Sequence, residues 1–462
     1  MRLLSILDFM FLLVEKRKQP MHVGGLFLFE IPAEADEDFV LSLVQQMQSS
    51  KTPPTFPFNQ VLHNLTYWAK DEEFDVEHHF HHIALPKPAR VRELLSYISK
   101  EHGRLLDRAR PLWECHIIEG IEPESPGRPK RFGLYFKIHH SLVDGIAAMR
   151  LVQKSLSQSP NETLTLPLWA LMMRHRYEIE TVLPSKDHSA LSIFKDQLKT
   201  AKPVLQEIAQ TLNQSKDSSF VRTTQAPASI LNQSISSSRR FIADSYELER
   251  FKNVAQNLGV SINDVVLTVC SGALRNYLIS INELPEDPLI AWVPYSMRKD
   301  ESASGNQFAF ILCNLGTHLE NPLNRLKLVH DSMNDGKSRF GRMTQPEVIN
   351  YSLLAYSWEL VNVLTSAYPK KQAFNLIISN VPGSKKKLYW NGAELRALYP
   401  ASILFNGQAM NITLASYLDK IEFGIVACSK TLPKTQNLLK LLESELANLE
   451  QICNERRLGI RE

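Results

Sequence analysis

The stretch KIHHSLVDGIAAMRL, Lys137 to Leu151, places two adjacent histidines, His139 and His140, four residues ahead of an Asp-Gly pair, Asp144 and Gly145. Three chemistries are open to such a set: metal ligation, proton transfer, or closure of a strand onto a helix. If GLYFKIHH is extended, successive side chains point to opposite faces. Leu134, Phe136, Ile138 and His140 then share one face, and Tyr135, Lys137 and His139 the other. Two adjacent strand histidines do not easily grip one ion. No cysteine or acid stands at ligand spacing and no HExxH occurs, so no metal is expected. A neutral imidazole, by contrast, can accept a proton from a hydroxyl near neutral pH. Asp144 can cap the first turn of the following helix or enter an ion pair that shapes the loop, and Gly145 removes bulk at that turn. A strand end with two satisfied histidines and an aspartate cap has the same spacing. Residue types alone leave both readings open.

The elements that must position this segment are legible on either side. WECHIIEG and RFGLYFKIHH read as strands joined by the Pro/Gly-rich IEPESPGRPK, a hairpin. HVGGLFLFEIP reads as a strand whose Gly24 and Gly25 permit close backbone approach. GIAAMRLVQKSL has helical spacing at Ile146, Met149, Val152 and Leu156. These belong to a first unit, residues 1–165. Residues 166–238 read as a connector with helices, containing LPLWALMMRHR, KPVLQEIAQTL and the polar QSISSSRR. A second unit, 239–462, opens with the strand RRFIA and a helix ending at Gly259. SINDVVLTVCSGALRNYL follows as an apolar helix, with Ser261 at its N-cap and Asp264 three residues on. FNLIISNVPG, LYWNGAELRALYP, QAMNITLASYL and IEFGIVACS read as a strand meander, with Asn391-Gly392 as a hairpin turn. TQNLLKLLESELANLEQI closes the chain as an amphipathic helix.

Bulk properties exclude several classes. A chain of 462 residues is too long for one ordinary core, so two core-forming units or one large bilobal fold are expected. A formal net charge of +3 does not support nucleic-acid binding. Five scattered cysteines without a CxxC fit free thiols in a reducing compartment. The N-terminal MRLLSILDFMFLLVEKRKQP is interrupted by Asp8, lacks a small-residue cleavage site, and carries Lys16, Arg17 and Lys18 on the wrong side for a secretory signal. It reads as a short amphipathic helix. No stretch reaches the ~20 apolar residues that span a bilayer, so any membrane contact would be superficial.

HHxxxDG occurs here with PMHVGG (Pro20 to Gly25), PLWE (Pro111 to Glu114), INDVVL (Ile262 to Leu267), Gly305-Asn306 and NVPG (Asn380 to Gly383), in that order over nearly the whole chain. The combination resembles the bacterial wax ester synthase/acyl-CoA:diacylglycerol acyltransferase family. That resemblance implies an α/β fold of the α+β type: two lobes related to chloramphenicol acetyltransferase, with mixed sheets flanked by helices and an acyl-CoA channel at their interface. It implies transfer of a fatty acyl group from acyl-CoA to a long-chain alcohol or diacylglycerol. His140 would be the general base, and His139 and Asp144 the architecture around it. It implies Arg298 as a partner for Asp144, and Asn263 and Asp264 as support for the active-site wall, although helix capping explains that pair equally simply. Gly145 at the loop and Trp113 in the core beside it complete the expected set. No cofactor is expected, since acyl-CoA is a substrate. A cytoplasmic protein lying peripherally on the membrane or on lipid inclusions is implied. One departure is Ser384 followed by Lys385, Lys386 and Lys387, where the family commonly places another proline after NVPG.

No GxSxG elbow is present, so direct transfer without an acyl-enzyme is expected; Ser141 adjoins the histidines, but adjacency alone does not put its hydroxyl within reach of either ring. The histidines of VEHHFHHIALPKP, His78, His79, His81 and His82, split between two faces and are expected to be structural or to line a channel. Lys385 to Lys387 are expected in a solvated loop. The rival readings are condensation on another acceptor and a lipid-surface binding protein with an inactive acyltransferase fold.

Overall fold

The computed structural model describes residues 2–4, 6–54, 56–64, 66–123, 125–143, 145–164, 166–170, 221–296, 308–344, 347–348, 351 and 372–458. Its first half contains β1 (Arg2–Leu3), α1 (Ile6–Val14), β2 (His22–Glu30), α2 (Phe39–Gln48), β3 (Gln60–His63), β4 (Tyr67–Lys70), β5 (Phe80–Ala84), α3 (Val91–Glu101), β6 (Trp113–Ile121), β7 (Arg131–His139) and α4 (Gly145–Ser155). The second half contains β8 (Arg239–Glu247), α5 (Leu248–Leu258), α6 (Ile262–Ser280), β9 (Ile290–Ser296), β10 (Phe308–Asn314) and α7 (Pro322–Gly341). It continues with β11 (Leu376–Val381), β12 (Tyr389–Trp390), β13 (Ala393–Ala401), β14 (Met410–Tyr417), β15 (Lys420–Cys428) and α8 (Asn437–Arg457). LPLWALMMRHR beyond Ala170, KPVLQEIAQTL, Asp144, Arg298 and Gly305-Asn306 lie outside the described residues.

Two six-stranded sheets build two lobes, ordered β12-β13-β2-β7-β6-β5 and β10-β9-β11-β14-β15-β8, beside a small sheet β1-β4-β3. Both large sheets are mixed: β5 runs parallel to β6, and β11 runs parallel to β9 and β14. The alternation read along β7 decides what each face meets. Leu134, Phe136 and Ile138 join the core beneath α4 and α2, together with Phe27, Phe29, Trp113, Val40 and Met149. Tyr135 turns the other way, into a core shared with α3 and the second lobe. Gly25 lets α4 lie on the sheet, because a Cβ there would stand 2.5 Å from Met149 Sδ.

The meander expected for residues 374–428 is corrected. Tyr389–Trp390 and Ala393–Ala401 do not stay with their sequence neighbours. They cross to the first sheet, where β13 pairs antiparallel with β2. The physical reason is that β11 already has parallel partners on both sides, β9 and β14, so the chain between β11 and β14 must leave and return. The Asn391-Gly392 turn does form. Tyr389 faces Glu394 and Trp390 faces Ala393, and φ is 48° at Asn391 and 90° at Gly392, the left-handed pair of a two-residue hairpin. The helix ending at Gly259, whose φ is 68°, and the capped helix at Ser261 also form as read.

The crossing strand seals the lobes together and buries an acid between them. Glu422 on β15 is fully buried. One oxygen accepts from the Ser245 hydroxyl, which also bonds Tyr399 of β13 at 2.9 Å. The other has no hydrogen-bond partner among the described residues. Burial pushes this carboxyl up to about 8. A raised folded-state pKa favours the fold below the unfolded pKa of about 4.3 and loses that contribution as pH climbs toward 8. Glu422→Gln removes the titration. Its thermal midpoint should therefore exceed the wild type's by a margin that opens between pH 5 and 8; a margin independent of pH contradicts the buried, neutral acid.

Candidate active site

The turn that follows β7 is held by backbone bonds from two other segments. His139 N–H donates to the Leu112 carbonyl at 2.9 Å, and His140 N–H donates to the Met21 carbonyl at 2.8 Å. The PLWE and PMHVGG segments thus grip the turn from either side. Their side chains reinforce the grip. Trp113 is buried, donates its indole N–H to the Phe58 carbonyl at 2.8 Å, and packs against His79, Phe58 and Phe136. On the far side, Gly383 of NVPG lies so close to β14 that a Cβ would overlap the Ser416 carbonyl. The next residue, Ser384, donates its N–H to Gln153 of α4 at 2.9 Å. The NVPG loop therefore clasps the helix that the histidine turn leads into. Gly145 is the first residue of that helix.

The two histidines part company. His139 is 0% exposed. Its Nδ1 accepts the Ser141 backbone N–H at 3.2 Å and lies 2.6 Å from the Ser141 hydroxyl. Because a backbone N–H can only donate, this nitrogen carries no proton in the neutral ring, and the proton sits on Nε2. Nε2 stands 3.3 Å from Glu15 Oε2, an ion-pair distance. His140 is half-buried, and its ring stacks on Phe11 of α1, with centroids 4.2 Å apart. Adjacency alone did not establish reach for Ser141; its hydroxyl does touch His139, although it is buried.

Glu15 was not singled out in the sequence, and it touches more of this turn than any residue that was. Besides His139, its carboxylate accepts the Met21 N–H at 3.1 Å and both Nε and a terminal nitrogen of Arg108 at 3.0 Å. Burial alone would raise its pKa. Contact with His139, Met21 and Arg108 overrides that and holds the acid below its ordinary value, ionised. The only sequence signal was a lone acid ahead of the basic run Lys16 to Lys18.

The face of the first sheet turned toward the second lobe carries a layer of buried polar groups. Lys137 Nζ, fully buried, sits 2.7 Å from Glu114 Oε2 on the neighbouring strand. His116 accepts or donates to the Tyr97 hydroxyl at 2.8 Å. Tyr135 donates to His102 Nδ1 at 2.8 Å, whose Nε2 donates to the Ser402 carbonyl at 3.0 Å. Burial lowers the pKa of both His22 and His102 and keeps them neutral. His81, Glu114 and His116 bring three potential ligand atoms within 4.8 Å of one another. The chemistry of that set fits a metal poorly, because the buried Lys137 ammonium already occupies Glu114 Oε2, 2.7 Å away. His79 donates to the Trp113 carbonyl at 2.8 Å and His78 pairs with Asp75 at 3.5 Å, so the four-histidine tract does not converge on one point.

Asp264 is buried at the start of α6. It accepts the Ser261 N–H at 3.0 Å in a reciprocal capping box and pairs with His330 of α7 at 2.9 Å. Its second oxygen has no hydrogen-bond partner among the described residues. Asn263 lies beside it, half-buried. Lys386 contacts Gln158 and Lys387 pairs with Glu394 on the surface.

Residues 4–266 match the model of the wax ester synthase/diacylglycerol acyltransferase catalytic domain, and residues 304–450 match that of its C-terminal domain. The chain is 52% identical over 454 residues to an O-acyltransferase WSD of Acinetobacter baylyi, covering 98% of each. It is 38% identical to a putative diacylglycerol O-acyltransferase of Mycobacterium tuberculosis, covering 97% of this chain and 99% of that one. In three dimensions it resembles a wax ester synthase/diacylglycerol acyltransferase from Marinobacter aquaeolei, with a TM-score of 0.80, 40% identity, and coverage of 98% and 100%. The first condensation domain of the CDA synthetase shares the fold at 12% identity, with a TM-score of 0.54 over 97% of this chain and 95% of that one.

The buried Lys137–Glu114 pair makes a stability prediction. Lys137→Met strands a carboxylate and should cost about 3 kcal/mol in chemical denaturation, the lower end expected for breaking a buried pair, because Glu114 keeps some exposure. Adding Glu114→Leu should restore most of that loss; two additive losses would show that the pair is not the operative contact.

Proposed function

The chain belongs to the wax ester synthase/diacylglycerol acyltransferase family, and from that premise we propose how it performs acyl transfer. It is an O-acyltransferase that moves a fatty acyl group from acyl-CoA to a long-chain alcohol, a diacylglycerol, or both. His140 removes the proton from the acceptor hydroxyl. The oxygen attacks the thioester carbonyl, a tetrahedral oxyanion forms, and its collapse expels CoA thiolate. The imidazolium returns its proton to the sulfur, so the products are an ester and free CoA. The step needs no cofactor, because the thioester is already activated. A positioned base contributes about 10²–10⁴-fold; alignment of the two substrates supplies a further share. They would meet in a channel between the lobes.

The observation that carries this reading is the unequal fate of the two rings. His139 is sealed and engaged by Glu15 and Ser141, whereas His140 is partly accessible, with Phe11 fixing its plane. Asp144 and Arg298 are assigned the shaping of the loop, and Asn263 and Asp264 the support of the wall through the start of α6.

A second route is favoured by one contact. Ser141, His139 and Glu15 line up as hydroxyl, imidazole and carboxylate, a set that could form an acyl-enzyme. Ser141 is only 5% exposed and its partner is sealed, which favours direct transfer.

Attachment to a lipid surface is part of the proposal. Among the described residues no single helix is long and apolar enough to cross a membrane. Yet Leu3, Phe9 and Leu13 are exposed at 65%, 38% and 52%, and exposed Lys16 and Arg17 follow directly. An apolar face edged with cations suits the surface of an anionic bilayer, which supports a peripheral position on the inner membrane face or on lipid inclusions.

Radiolabelled acyl-CoA offered with hexadecanol and with diolein should yield wax ester, triacylglycerol, or both, and His140→Ala should lower turnover about 10²–10⁴-fold. Full activity in that variant removes His140 as the base. Ser141→Ala should keep wild-type turnover; acyl label trapped on the wild-type protein and lost in Ser141→Ala would instead establish the acyl-enzyme route. In flotation with vesicles containing anionic lipid, Phe9→Ser/Leu13→Ser should release the protein, and unchanged flotation would exclude this face.

A further inference from the structure

We propose that Glu15 is a positioning residue for acyl transfer: one buried carboxylate that sets both histidines of the turn at once. The inference rests on the reading of His140 as the base. Glu15 Oε2 faces two groups, His139 Nε2 at 3.3 Å and the Met21 N–H at 3.1 Å. The first faces the proton-bearing nitrogen of the sealed ring, whose Nδ1 accepts from Ser141. The second ties down the N–H of Met21, the residue whose carbonyl receives the His140 N–H at 2.8 Å. The same carboxylate therefore orients a side chain on one side of the turn and the backbone anchor of the reactive residue on the other.

Arg108 completes the device. It grips Oε1 with two nitrogens at 3.0 Å and donates onward to the Leu12 carbonyl at the end of α1 at 2.6 Å. A guanidinium and an imidazole nitrogen thus face one carboxylate whose side chain is 2% exposed. Phe11, one residue before Leu12, stacks on the His140 ring. Gln19, in the turn that follows Glu15, donates to the Val14 carbonyl at 3.0 Å and accepts the Asn406 N–H of the second lobe at 2.6 Å. Arg239 of the second lobe donates to the Lys18 carbonyl at 2.8 Å. The carboxylate is consequently placed from three directions, by α1, by the segment ahead of PLWE, and by the second lobe.

Glutamine cannot replace it. Met21 N–H donates to Oε2 and Arg108 to Oε1, with His139 Nε2 at ion-pair distance, so the site needs an acceptor at both oxygens. An amide NH₂ would oppose a donor in either orientation. The expected result for purified, folded Glu15→Gln is a fall in kcat of about 10- to 100-fold, the scale seen when an orienting partner is removed, with the KM for acyl-CoA within about twofold of wild type. In long-range ¹⁵N–¹H spectra of histidine-labelled protein, the wild type should show His139 as the Nε2–H tautomer, and Glu15→Gln should shift its Nε2 resonance. Arg108→Met, which leaves the carboxylate in place without its cation, should lower kcat in the same direction by a smaller factor, and it carries the test if Glu15→Gln does not fold. His140→Ala is measured alongside. If His140→Ala is inactive while folded Glu15→Gln, or in its absence Arg108→Met, turns over at the wild-type rate, the positioning role is overturned alone. If His140→Ala keeps wild-type turnover, the reading of the base has failed, and a role for Glu15 in orienting it falls with that reading.

Discussion

Consecutive side chains on an extended backbone cannot face the same way, and this constraint organises the site. β7 delivers His139 and His140 at its end, one to each side of the sheet. The first ring is sealed, with Ser141 at Nδ1 and the Glu15 carboxylate at ion-pair distance from Nε2. The other ring emerges at the turn. A pair of identical residues is thereby divided into one that holds and one that can react, without any difference in their chemistry. What makes the division firm is that the backbone of the turn has partners of its own: the Leu112 and Met21 carbonyls continue the sheet's bonding past the last ladder pair.

Burying so many polar groups between the lobes is costly unless each is matched. The face of the first sheet meets that demand by pairing acceptors with donors across neighbouring strands and helices: Lys137 with Glu114, Tyr135 with His102, Tyr97 with His116. The exchange of β12 and β13 into the first sheet makes the same point at larger scale. The first sheet is incomplete without these strands from the second half of the chain, so the turn is braced by both halves of the fold. A rigid frame of this kind suits direct transfer, in which the enzyme contributes alignment and one proton acceptor and forms no covalent intermediate.

Much of this was legible in the sequence. The β6–β7 hairpin, the alternation along β7, the capped helix at Ser261, the helix stop at Gly259 and the turn at Asn391-Gly392 all follow from local rules: pleat, cap and left-handed backbone. The two-lobed fold and the family were legible through the order of short motifs. Three things were not. The crossing of LYWNGAELRALYP to the other sheet depends on which strand edges remain open, a property of the assembled sheet. Glu15 gave no periodic or spacing signal, because its partners stand six, 93 and 124 residues away. Ser141 sat in plain view, but whether a hydroxyl meets a ring two residues back depends on how the strand turns.

The account turns on His140 being the reachable imidazole of the pair. Diethylpyrocarbonate modification, followed residue by residue with mass spectrometry, tests that directly. Carbethoxylation of His140 should proceed at the rate at which activity is lost and should slow when acceptor alcohol is present, while His139 stays unmodified in the folded protein. Activity lost before His140 is modified, or equal modification of both rings, would contradict it.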